Sequence, residues 1–249
     1  MNLKEIREEC WGIARDVALV DADRMWTTPE MNRYINRVYR FIARETQCIK
    51  DSITPEVCLI SVTPVDYTTL EPGTLDYIWA NEVGNWLYHL DVAPYLLPLH
   101  PSILQIDEAK WMQQPWKLQK VSSTKWKRNP WWERVSGIPT EYATDLQTGY
   151  LALNFRKVEA DTIQLCVRRL PLVDLTEDDD VPEFKTHYHD FMLNGILEQM
   201  YSKRDSETLD KVKASEYGAK FMLDVDEIKQ QESQMEEHLR PSGPHEAFL

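Results

Sequence analysis

Two histidines and a carboxylate, His187, His189 and Asp190, are the residues whose types and closeness first raise the question of metal chemistry. In a helix, residues two apart point about 200° apart around the axis, so the two imidazoles do not readily share one ion. Helix-surface histidines are the simpler reading. Residues 174–183, DLTEDDDVPE, hold six acidic side chains and no basic one. The run lacks the alternating ligands, central glycine and distant glutamate of a calcium loop. It reads as a solvated linker that also loads negative charge before the next helix, where the helix dipole favours it. No GxSxG, HExxH, GxxxxGKS or GxGxxG occurs, and no cysteine has a nucleophile's context. Cys10, Cys48, Cys58 and Cys166 stand far apart with no CxxC pair, so buried free thiols are expected. The sequence thus predicts no catalytic residue, no metal and no cofactor, and a protein that is not an enzyme. A hydrolase built on carboxylates that meet only in space has no sequence signal behind it.

The strongest alternative lies in residues 116–134, WKLQKVSSTKWKRNPWWER, where Trp116, Trp126, Trp131 and Trp132 alternate with lysines and arginines. Such a segment can stack bases and hold phosphates, which would make the chain a nucleic-acid-associated binding module. Two other readings compete: tryptophans that close one end of a β-sandwich while the cations stay solvated, and a surface for a partner protein, where Trp and Arg are enriched. A net charge of −13 over 249 residues weighs against general nucleic-acid binding and against an anionic membrane surface. No apolar run of about 18 residues appears, and the start MNLKEIREE lacks the layout of a secretion signal, so the expected compartment is the host cytoplasm where the chain is made.

The element that organises the chain is Trp26 to Thr46. Thr27 with Glu30 forms a capping box, Thr28 before Pro29 offers a second start, and Met31, Tyr34, Ile35, Val38, Phe41 and Ile42 recur at helical steps. Arg33, Arg37, Arg40 and Arg44 fill the opposite side. Leu3, Ile6, Cys10, Ile13, Val17 and Val20 predict an earlier amphipathic helix, joined through Asp21–Asp23 as an antiparallel hairpin. Strand-like runs follow at 58–62, 95–98, 103–107, 141–144, 150–155 and 162–169, with turns at Glu71–Pro72–Gly73, Gln147–Thr148–Gly149 and Gly137–Ile138–Pro139. Residues 76–93 read as an aromatic loop or short hairpin. Helical spacing returns after Pro182, with Tyr188, Phe191, Met192, Ile196 and Met200, then Ala214, Tyr217, Phe221, Val225 and Ile228.

The expected fold class is α+β: a helical bundle built from N-terminal and C-terminal helix pairs, with an inserted antiparallel β-sheet or sandwich module. Its parts would be residues 1–50 (helical hairpin), 51–173 (β module), 174–228 (C-terminal helices) and 229–249 (a polar tail ending in the apolar Phe248 and Leu249).

This order resembles the head-to-tail adaptor (connector) proteins of tailed bacteriophages. The matching residues are Trp26–Glu30 followed by Tyr34–Asn36, Tyr95–Pro98 with Ile103–Ile106, Gly137–Tyr142, Ile163–Pro171, Pro182–Glu183 with Tyr188–Asp190, and Tyr201–Asp205 with Tyr217 and Phe221. Residues 76–93 and the tail after Lys229 depart from the pattern. The resemblance implies a structural virion protein of the neck, a self-assembled ring of about twelve copies beneath the portal protein. It further implies contacts with tail, stopper or other neck proteins, and genomic DNA passing through the lumen without sequence-specific binding. No membrane partner is implied. Candidate subunit or portal contacts are Arg33, Arg37, Arg40, Arg44, Trp126, Trp131, Trp132, Phe248 and Leu249. Asp178–Asp180 and Glu232–Glu237 are the acidic surfaces that a neighbour would offer the arginines.

Overall fold

The computed structural model describes residues 1–16, 20–62, 96–114, 116–128, 137–155, 160–204 and 208–239. The expected turn at Glu71–Pro72–Gly73, the aromatic stretch 76–93, Trp131, Trp132, Phe248 and Leu249 lie outside the described residues. The chain divides into two compact units, one made of Met1–Lys50 with Arg169–Leu249 and the other of Asp51–Arg168.

In the first unit, α1 (Leu3–Ala14) begins at Asn2, whose side chain accepts from the Glu5 amide while the Glu5 carboxylate returns to the Asn2 amide, satisfying two orphan donors. The following α2 spans Thr28–Thr46, with Pro29 in its first turn. The Glu30 carboxylate accepts from the Thr27 amide at 3.2 Å, and Asp21 accepts from both the amide (3.0 Å) and the hydroxyl (2.7 Å) of Thr28. Two carboxylates therefore sit at the positive end of this helix. After α4 (Phe191–Tyr201) comes the long α5 (Lys211–Leu239), which continues past the apolar stripe ending at Ile228. A short α3 (Pro55–Cys58) belongs to the second unit.

One apolar core unites Leu3, Ile6 and Cys10 of α1, Met31, Ile35, Val38 and Ile42 of α2, Met192 and Ile196 of α4, and Phe221, Val225 and Ile228 of α5. Its polar atoms are matched. The Trp11 indole N–H donates to the Trp26 carbonyl and the Trp26 indole N–H to the Met200 carbonyl, each at 3.0 Å. The helices α4 and α5 approach closely at Gly195, where an added Cβ would stand 2.8 Å from the Phe221 ring.

In the second unit the strands β2 (Leu59–Val62), β3 (Leu96–Pro98), β4 (Ile103–Trp111), β5 (Lys117–Lys120), β6 (Glu141–Ala143), β7 (Tyr150–Leu153) and β8 (Asp161–Arg169) follow the two-residue β1 (Lys50–Asp51). They form one sheet in the order β1-β8-β4-β5-β6-β7-β3, with β2 pairing β8 off this path. On β8 burial alternates strictly, with Ile163, Leu165 and Val167 inward, as a half-buried strand requires. On β4 the alternation slips by one residue between the buried Ile106 and Ala109, the kind of offset a β-bulge introduces.

The expected fold class is corrected by this arrangement. The protein is mixed α and β, with a curled half-barrel along a seven-strand path rather than a small insert in a helical bundle. The sheet is not a sandwich, because β5 pairs β4 on one edge and β6 on the other and so continues a single sheet. Nor is it wholly antiparallel, since Gln119 and Lys120 pair in parallel with Glu141 and Tyr142. Side-chain alternation reports which face a residue occupies and says nothing about which strands become neighbours. The helices, of 12, 19, 11 and 29 residues, are not a matched set, and Leu175 and Phe184 from irregular backbone complete their core.

Candidate interaction surfaces

The acidic run 174–183 is not a solvated linker. Leu175 and Phe184 are buried, and the Asn36 side chain grips the backbone between them, accepting from the Leu175 amide at 2.8 Å and donating to its carbonyl at 2.9 Å. Asp174 pairs with Arg40 at 2.5 Å, Asp178 with the buried Arg7, and Glu183 with Arg169 at 2.6 Å. Asp180 accepts from the amides of Thr176 and Glu177, and these backbone donors hold its carboxyl below the usual carboxylate range. The apex of the segment lies at the start of α1, where the Asp178 and Asp180 carbonyls accept from the amides of Lys4 and Leu3. Of the six acids, only Glu177 and Asp179 lack a side-chain partner among the described residues.

All four candidate arginines of α2 are exposed. Arg40 is held by Asp174, and Arg44 pairs with Glu45 at 3.2 Å while lying over the Phe41 ring. Arg33 and Arg37 make no ion pair among the described residues. Arg37 stands beside Glu198: burial raises that carboxyl, and the Arg37 charge opposes the rise.

Glu232 is buried and holds three partners that the sequence does not reveal: Lys185 at 2.5 Å, Lys50 at 3.4 Å and the Tyr188 hydroxyl at 2.9 Å. Burial alone would raise this carboxyl, but the hydrogen bonds from Lys185 and Tyr188 and the lysine charges outweigh it and leave it low. Glu236 shares Lys50 at 3.1 Å. The acids expected to serve a neighbour, Asp178, Asp180, Glu232 and Glu236, are thus engaged within the subunit. Nothing local signals this, since Arg7 and Asp178 stand 171 positions apart and Arg40 and Asp174 stand 134 apart.

The two histidines are separated as expected. His187 is exposed, whereas His189 is buried, its Nε2 donating to the Phe184 carbonyl at 3.2 Å and its Nδ1 accepting from the Met1 nitrogen at 2.8 Å. Burial lowers the His189 pKa and favours the neutral ring. Among the described residues no group of His, Cys, Asp and Glu could hold a metal ion. Cys10, Cys48 and Cys58 are buried free thiols and Cys166 is half-buried, with burial raising the thiol pKa at Cys10, Cys48 and Cys166.

In the second unit Trp126 is 6% exposed, packed against Leu96, Ala143 and Ala152, and its indole N–H donates to Glu141 at 2.9 Å. Lys125 pairs with the same carboxylate, and Lys117 with Glu108 at 2.5 Å. Trp126 therefore presents no open face for stacking, whereas Trp116 is partly exposed.

No described helix is long and apolar enough to cross a membrane. A search of curated proteins gives no match. A family model for the SU10 adaptor protein matches residues 1–244, nearly the whole chain and both units. The protein belongs to the SU10 adaptor family, and the resemblance to phage head-to-tail adaptors read from its residues is that family relationship.

Proposed function

We propose that the protein is a structural, non-enzymatic head-to-tail adaptor. Copies assemble into a ring of about twelve that docks beneath the portal protein and offers its other end to the tail, a stopper or another neck protein. The genome passes through the lumen without base-specific contact. The match of residues 1–244 to the adaptor family carries this reading. It acts by shape and ordered assembly, and the net negative charge disfavours retention of DNA. The nucleic-acid reading loses its central platform because Trp126 is buried and bonded to Glu141.

Imaging of particles made without this protein tests the proposal. Filled heads that lack tails and leak DNA are expected, and normal tailed particles would overturn it. Salt-dependent DNA binding by the purified chain would favour the nucleic-acid reading instead.

A further inference from the structure

A ring made from identical copies needs two unlike, complementary faces on each subunit. The first unit offers two sets of exposed groups that its own contacts leave unmatched. One is the apex of the acidic segment. Glu177 and Asp179 have no side-chain partner among the described residues, and Val173 and Val181 beside them are 71% and 54% exposed. The other lies along the first half of α5, where Val212 and Leu223, three helical turns apart, are 77% and 70% exposed. Next to that stripe stands Arg37, because Glu198, whose carboxyl it influences, lies against Gly218 of α5. Arg33 is one turn back on the same side of α2.

The two sets lie on different sides of α2. The acidic segment is fastened to Asn36 and Arg40, whereas α5 meets α2 through the Phe41–Phe221 ring contact at 5.5 Å. Asn36 and Phe41 are separated by about 140° on the helix. The acids native to the α5 side are already matched by lysines: Glu216 by Lys220, Asp226 by Lys229 and Asp210 by Lys213. Two cations therefore remain on one side and two anions on the other, each beside exposed aliphatic surface.

We propose that the occupant of the α5 side is a second copy of this chain. Its 173–181 segment lays Val173 and Val181 against Val212 and Leu223 and brings Glu177 and Asp179 to Arg33 and Arg37. The contact is head-to-tail, so it propagates around a ring. This inference rests on the ring reading above and names the faces that build it.

A charge exchange in full-length protein, supplied to particles that assemble without their own copy, tests the contact. Incorporated protein per capsid is the readout, and circular dichroism melts of the purified variants confirm folding. Arg33→Glu with Arg37→Glu, and separately Glu177→Arg with Asp179→Arg, should each lower incorporation about ten-fold or more, because like charges then face each other. The chain carrying all four changes should recover to within about three-fold of wild type. Wild-type incorporation of either two-site variant, or no recovery in the four-site chain, would overturn this contact while leaving the ring reading intact. Failure of the wild-type chain itself to enter particles would overturn both.

Discussion

Glu232 shows how one side chain can fasten the far half of a long helix. Beyond Ile228, α5 buries little described apolar surface, and Glu232 joins it to Lys185, Lys50 and Tyr188. Both lysines are about 40% exposed, so their attraction is partly screened. Glu232→Gln should cost about 1–2 kcal/mol at neutral pH, measured by urea unfolding. The folded carboxyl titrates below its unfolded value, so the stabilisation is complete above the unfolded value and disappears as pH falls through the folded one. The gap between wild type and Glu232→Gln should therefore close in acid, and a gap that persisted at about pH 2 would refute the electrostatic account. His189 acts at a higher pH. Its folded pKa is depressed by burial, so the unfolded chain binds the proton first, and stability falls as pH drops below about 6.5. His189→Gln should flatten the stability profile just below that pH, in the same urea series, whatever its effect at neutral pH.

At the scale of elements, close approach decides what the helices tolerate. A Cβ at Gly195 would meet the Phe221 ring at 2.8 Å, inside any normal contact, and the ring has little room because Phe221 is itself buried. Gly195→Ala should destabilise by about 1–3 kcal/mol despite alanine's better helix propensity, and adding Phe221→Leu should cost less than it does in the wild-type background. Strictly additive unfolding energies would sink this account. What the sequence made legible follows the same division between near and far. The start and stripe of α2 were readable because Thr27, Glu30, Met31, Ile35 and Ile42 interact within a few residues of one another. The role of Asp21 was hidden because it caps from seven positions away. Residues 174–183 looked like a solvated linker because Arg7 and Arg40, which hold two of their acids, lie more than a hundred positions upstream. In the sheet, strand existence was legible from alternation, whereas the parallel β5–β6 pairing depends on partners that no single strand encodes. Trp126 belonged to a segment rich enough in cations to suggest a binding face, and only its burial against Leu96 and Ala143 decides its role.

At the scale of the whole molecule, the chain leaves the helical unit once and returns to it at nearly the same point. The first unit runs to Lys50 and resumes at Arg169, and the Arg169 amide donates to the Ile49 carbonyl at 3.0 Å. The two ends of the excursion are thus already hydrogen-bonded neighbours inside one unit. Closing them with a short loop adds little entropic cost, because loop closure depends only weakly on length once the ends are held together. The core of that unit is also its own: Leu3, Ile35, Ile196 and Val225 all come from residues outside 51–168. Replacing residues 51–168 with a short Gly/Ser link should therefore leave a folded helical protein. It should retain helical circular dichroism and unfold cooperatively, with Trp11 and Trp26 fluorescence reporting the same transition as the helical signal. A chain that melts without cooperativity, or whose tryptophans are already solvent-like in buffer, would show that the helical unit depends on the sheet. If the unit folds alone, the proposed contact between Arg33, Arg37 and a neighbour's Glu177 and Asp179 lies wholly within it, and the excised protein becomes the smallest piece able to test subunit association without the β-rich half.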